Sequence, residues 1–227
     1  SFVFFLVAAA LSFLLHKRHV EGRLLLMDVI KERTDNSNWR NILYAHIFQG
    51  SREGMFAFII TIWVYVATSS EFALGTFNLI MSLSSFIGYY IVSKLIKDQR
   101  RKLYIFLGGI FLYVSVWLFV FQTETWMLFL YGLLVGFAYP VYNVPFISLT
   151  YDIIGTAKQA RELRVEYVIL REIFLNVGRI FAIVLFILTM QWFDPIKIIP
   201  ILLLTLGAGN LIASLFVKKI EHPLVNK

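Results

Sequence analysis

Leu103-Tyr-Ile-Phe-Leu-Gly-Gly-Ile-Phe-Leu-Tyr-Val-Ser-Val-Trp-Leu-Phe-Val-Phe121 runs without a charge between Arg100-Arg101-Lys102 and Glu124. A helix needs about 20 mostly apolar residues to cross about 30 Å of hydrocarbon, and this stretch meets that requirement. In a medium without water every backbone N–H and C=O must be satisfied within the segment, so a helix is the natural conformation. Similar stretches lie on both sides of it, at 1–15, 54–70, 72–93, 125–151, 173–193 and 198–217. None shows the strict alternation of a barrel strand. The chain therefore reads as an all-α membrane protein.

Composition agrees. The chain has 227 residues, 59% hydrophobic and 15% charged, with a mean hydropathy of +0.76. Soluble domains run near 45–50% apolar and about 25% charged. The 22 Phe residues suit a lipid-facing surface. With no Cys there is neither a disulfide framework nor a thiolate metal site. The net charge of +7 would suggest nucleic acid for a soluble protein, but here its placement points to the bilayer, and no nucleic-acid partner is expected. The first stretch is short and its basic residues follow the apolar run, the reverse of a signal peptide. It reads as the end of a helix that begins upstream.

The connections set an orientation. Lys17, Arg18, Arg23, Lys31, Arg33 and Arg40 fill the first, Lys94, Lys97, Arg100, Arg101 and Lys102 the third, and Lys158, Arg161 and Arg164 the fifth. Lys218, Lys219 and Lys227 end the chain. The intervening breaks, around 69–71, 122–125 and 194–197, are almost free of base. Basic loops face the cytoplasm, so 16–48, 94–102, 152–164 and the C-terminus are expected there. Within the long first connection, the apolar run 24–30 suits a membrane surface. Asn38 is positioned to cap a helix from Trp39, either an interfacial helix or the cytoplasmic start of the second span. Thr156-Ala-Lys-Gln159 has the pattern of a capping box, which predicts a helix running from there into the sixth span.

Polar residues are unevenly shared among the spans. The first, fourth and seventh hold almost none beyond Ser115 and Asn210. The third carries Asn78, Ser82, Ser85 and Tyr89 at i, i+4, i+7 and i+11, one helical stripe. The sixth carries Glu172, Asn176 and Arg179 at i, i+4 and i+7. The second begins with Arg52-Glu53, and the fifth holds Pro140, Tyr142, Asn143 and Pro145, where the prolines should weaken and bend the helix. A polar stripe requires protein or water opposite it, so spans two, three, five and six face a shared interior.

This arrangement resembles the C-terminal half of a major facilitator superfamily transporter, in which two six-helix halves are joined by a long cytoplasmic loop. The resemblance covers the whole chain. It implies a six-helix transporter half-bundle, helices seven to twelve, preceded by the end of the sixth helix (1–15) and an inter-half linker (16–48). The transporter domain would then span 49–218 and a cytoplasmic tail 219–227. It also implies about five and a half spans before Ser1, and the missing N-terminal half as a partner. The family's basic loop, Gly-Arg/Lys-Leu-x-Asp-Arg-x-Gly-Arg-Arg, is matched at Lys94, Leu95, Arg101 and Lys102. Ser93 and Arg100 replace its glycines and Lys97 its aspartate, so the carboxylate of that loop must come from elsewhere. Asp152, at the cytoplasmic end of the fifth span, is the nearest in topology.

Ionisable residues within spans are costly, about 2.5–3.5 kcal/mol at the centre on insertion scales, and are functional candidates by default. Arg52, Glu53, Glu172 and Arg179 therefore join the polar stripes as candidate pathway residues. Arg179 lies deepest and needs a carboxylate, Glu53 or Glu172, or an anionic substrate group. The alternative for the arginines is to snorkel to headgroups. Gly132-x-x-x-Gly136 and Gly209-x-x-x-Ala213 read as close helix contacts, and Trp39, Trp126 and Trp192 as interfacial belt residues. His16, His19, His46 and His222 lack ligand spacing, and no metal or cofactor is expected. The function expected is proton-coupled movement of a small solute by alternating access, in a multi-pass cell-membrane protein, with the bacterial inner membrane the expected location. A seven-helix receptor or an intramembrane enzyme is the alternative.

Overall fold

The computed structural model describes Leu6, Leu11, Ser12 and residues 25–120 and 125–221. Among these there is no strand. Eight helices follow in order: α1 (Leu26–Asp35), α2 (Ser37–Thr68), α3 (Glu71–Leu95), α4 (Arg101–Val120), α5 (Thr125–Thr156), α6 (Arg164–Trp192), α7 (Pro195–Gly207) and α8 (Gly209–Lys218). A single 3-10 turn, Asp98–Arg100, leads into α4. Five helical units are long and apolar enough to cross a membrane: α3, α4, α5, α6, and α7 with α8 taken together. Of the expected seven spans, the first lies almost wholly outside the described residues. The second falls in α2, whose length is shared with a polar segment bearing Arg52 and Glu53, and α2 is not among the five. Residues 121–124, His16, His19 and His222, and most of the tail also lie outside.

Local chemistry places the boundaries, and in three places differs from the sequence-based expectation. Asn36, not Asn38, caps α2, its Oδ1 accepting from Trp39 N at 3.0 Å. Asn38 instead bridges to the backbone of Glu221, accepting from its N–H at 2.9 Å. α2 is thus continuous from Ser37, and residues 37–48, placed in the linker by sequence, belong to the bundle. Trp39, expected as a belt residue, is fully buried and donates to Val29 O. Thr156 does not open a helix: it ends α5, its hydroxyl turned back on the Asp152 and Ile153 carbonyls. Gln159 adopts φ 52 in the turn that follows, and α6 starts only at Arg164. Pro140 and Pro145, expected to weaken the fifth span, lie within the single helix α5.

The helices pair tightly where glycines allow it. A Cβ on Gly50 would lie 2.0 Å from Leu175 O, and one on Gly178 2.0 Å from Ile47 O. Hence α2 and α6 cross with backbones in contact, as small-residue interfaces do. Gly136 meets the Met81 carbonyl of α3 and Gly209 the Phe48 carbonyl of α2, at 2.5 and 2.3 Å from the corresponding Cβ positions. α3 packs on α5, α4 on α5, and α8 on α2 and α4. The resulting core gathers Trp39, Ile42, Leu43, Met55, Tyr131 and Phe146 among others. Coverage is uneven: 11% of the α3 span and 17% of the α6 span is buried, against 44% for α5 and for α7–α8. α3 and α6 therefore present large apolar faces outward.

Candidate functional site

Between α2, α3, α5 and α6 lies a cavity of about 500 Å³. Its walls come from the four helices that carry the polar stripes, and α4, α7 and α8 contribute none of the lining residues. Apolar residues dominate (Phe56, Ile60, Phe77, Met81, Val135, Ile183), and its charged lining residues are Arg52, Glu53 and Arg179. Such a volume and such a mixture, mostly apolar with a few convergent polar groups, are those of a small-molecule site.

Glu53 is the centre of the polar network. Its Oε2 accepts from Arg179 Nη2 at 2.7 Å. Its Oε1 accepts from Gln49 Nε2 at 2.9 Å and from the Tyr139 hydroxyl at 3.2 Å. Arg179 also donates to Asn176 Oδ1 at 3.3 Å, and Asn176 donates to the Glu172 carbonyl at 2.8 Å. The α2–α6 glycine contact explains this meeting: Gly54 abuts the Arg179 backbone, with its Cβ position 2.7 Å from Arg179 Cα. Two long side chains one helical step from that contact reach each other without strain. The pair is only partly shielded, with side-chain exposures of 39% for Arg179 and 17% for Glu53. A ligand entering the cavity therefore meets it directly.

The other candidates fall in different places. Asn78 and Ser85 line the cavity, and Ser85 donates to the Gly136 carbonyl at 3.0 Å, which ties α3 to α5. Ser82 is exposed and lies outside the lining. Tyr89 accepts from Asn143 at 3.4 Å on the exposed edge between α3 and α5. Tyr142 is fully buried, stacked on Phe146 at 5.2 Å, and its hydroxyl makes no hydrogen bond among the described residues. Glu172 pairs with its neighbour Arg171 rather than with Arg179. The stripe of α6 thus splits, because Glu172 is taken up before Arg179 is reached.

Arg52 does not snorkel. It is 4% exposed, its guanidinium lies 4.5 Å over the Phe56 ring, and its Nε and Nη2 make no hydrogen bond among the described residues. A buried donor left unpaired costs about 1–3 kcal/mol, more when charged.

Sequence reasoning passed over Gln49, Tyr139, His46 and Thr150. His46 is buried, with Nδ1 3.0 Å from Gln49 Oε1 and Nε2 3.2 Å from the Thr150 hydroxyl. A polar line therefore runs from α5 through His46 and Gln49 to Glu53. The signals were present: His46, Gln49 and Glu53 sit at i, i+3 and i+7, and Gly50-x-x-x-Gly54 marks the crossing.

At the basic end, Arg101 of α4 pairs with Asp152 of α5. Lys102 donates to the Ile220 carbonyl. Lys94 donates to the Tyr90 hydroxyl. Glu32 of α1 accepts from the Lys158 backbone N–H at 3.0 Å and from the Tyr167 hydroxyl, docking the connection onto α6.

No protein-family model matches the chain, and no solved structure matches it. It is 46% identical over 217 residues, 96% of its length, to a protein of Bacillus subtilis (strain 168) described as uncharacterized protein YqgE. The chain spans about half (50%) of that relative's own length.

Proposed function

We propose that the chain is one half of a membrane carrier of the major facilitator type, moving a small solute by alternating access with proton coupling, and that it is not an enzyme. The observation that carries the reading is the cavity ion pair, Arg179–Glu53 at 2.7 Å, on the shared wall of the four stripe-bearing helices. The guanidinium stays charged and presents a planar fork of donors. When substrate entering the cavity parts Arg179 from Glu53, the carboxylate loses its counter-charge and a proton can take that place. Proton uptake and substrate binding are then linked through one pair. The outward apolar faces of α3 and α6, and a relative twice as long as the chain, support a second half closing the cavity. The basic ends of α4 to α6 then face the cytoplasm, with the Arg101–Asp152 pair as a latch. The test is accumulation of labelled solutes in vesicles carrying the full-length protein under an imposed pH gradient. Arg179→Lys keeps the charge, loses the fork, and should abolish accumulation while insertion and folded yield persist. Unaltered accumulation by Arg179→Ala would reduce the pair to a structural contact.

A further inference from the structure

We infer that the cavity binds an organic monoanion, a carboxylate joined to an apolar body, and that Arg52 rather than Arg179 holds the carboxylate. This deepens the carrier reading and rests on it. The lining carries two guanidinium groups and one carboxylate, and Glu53 neutralises only Arg179. One positive charge is left over, and it belongs to Arg52. A neutral or cationic solute leaves that charge buried and unbalanced, whereas a single negative charge balances it.

Geometry selects the same residue. Nε and Nη2 form the side-on edge of a guanidinium, whose two parallel N–H bonds match the two oxygens of a carboxylate. In Arg52 this edge makes no hydrogen bond among the described residues, although the side chain is 4% exposed and lines the cavity. Phe56 lies across the face of the group, so in-plane ligation is the bonding left to it. Shut off from solvent, the edge has no hydration shell for a ligand to strip. A swing of the terminal torsions carries it to the cavity that the same side chain already walls. The remaining wall, Phe56, Ile60, Phe77, Met81, Val135 and Ile183, offers only apolar contact, which sets the rest of the ligand. Glu53, next in sequence, does not compete for this edge, because its oxygens are held by Arg179, Gln49 and Tyr139.

The test measures ligand-induced shifts in Tm of the full-length protein in lipid nanodiscs, with benzoate, octanoate and naphthoate as probes and octanol and octylamine as controls. The carboxylates should raise Tm in a concentration-dependent way, and the controls should not. Arg52→Gln, with unliganded Tm measured alongside, should weaken carboxylate binding about 10- to 100-fold, the loss of one charge-assisted bidentate contact. If Arg52→Gln does not yield folded protein, Glu53→Gln carries the test: it removes the neutralising carboxylate and should tighten carboxylate binding several-fold. Equal binding by Arg52→Gln and wild type, unchanged or weaker binding by Glu53→Gln, or no shift by any carboxylate at millimolar concentration would overturn the inference. Arg52-dependent binding without accumulation in vesicles would sink the carrier reading and leave the anion site standing. Accumulation without Arg52-dependent binding would do the reverse.

Discussion

Among the described residues two ion pairs tie helices of this bundle together, and they differ in what surrounds them. Arg101–Asp152 joins α4 to α5 at the basic end, with the Asp152 side chain 33% exposed. Arg179–Glu53 joins α2 to α6 inside the bundle, where Glu53 also accepts from Gln49 and Tyr139 and faces a cavity. The first pair is a fastening. The second is a junction, in which removing one partner redistributes hydrogen bonds on three helices. It sits beside the backbone contact of Gly54 with Arg179, whereas the close α4–α5 contact, Gly108 on Tyr142, lies seven residues along α4 from Arg101.

The largest effect is expected at the glycine seam. Gly178→Ala puts a methyl group 2.0 Å from the Ile47 carbonyl, so α2 and α6 must separate, at a cost of about 3 kcal/mol on the scale of overpacked cores. Gly155, also helical, has nothing within 4 Å of its Cβ position, and Gly155→Ala should gain about 0.5–1 kcal/mol from helix propensity. Denaturation of the two variants in detergent, compared with wild type, checks both signs. If Gly178→Ala is as stable as wild type, the seam does not position the pair.

A smaller effect is expected at His46, whose buried ring bonds Gln49 on one side and Thr150 on the other. His46→Leu leaves both partners short of a hydrogen bond and should cost about 1–3 kcal/mol in the same denaturation experiment, while His46→Gln, which keeps a donor and an acceptor, should recover part of it. His46→Leu as stable as wild type would remove the polar line from what supports the fold. The smallest effect belongs to the latch: Asp152→Asn should cost about 0–1 kcal/mol, because both partners are partly exposed and screened.

Much of this was readable in the sequence, for definite reasons. Helices α3 to α6 follow from charge-free length alone, and the four cavity helices from where Asn78, Glu53, Asn143 and Arg179 interrupt apolar runs. What failed depends on local competition that patterns do not encode. Asn36 and Asn38 are both good caps, and the choice fell to Asn36 because Asn38 is claimed by the distant Glu221 backbone. Thr156 has the residue type of a cap, but its hydroxyl was already satisfied within α5. Glu172 was an equal candidate for Arg179 until Arg171 took it. Tyr139 could not be told from the other tyrosines of α5, since only the α2–α5 spacing brings its hydroxyl to Glu53.

Glu53→Gln in proteoliposomes asks whether Glu53 is the proton-carrying member of the cavity pair. Two assays are run on the same preparation: solute accumulation driven by a pH gradient, and exchange of solute against solute without a gradient. Glu53→Gln should lose gradient-driven accumulation and keep exchange, because the cavity still closes on substrate while no proton can be carried. Accumulation equal to wild type in Glu53→Gln would contradict that role.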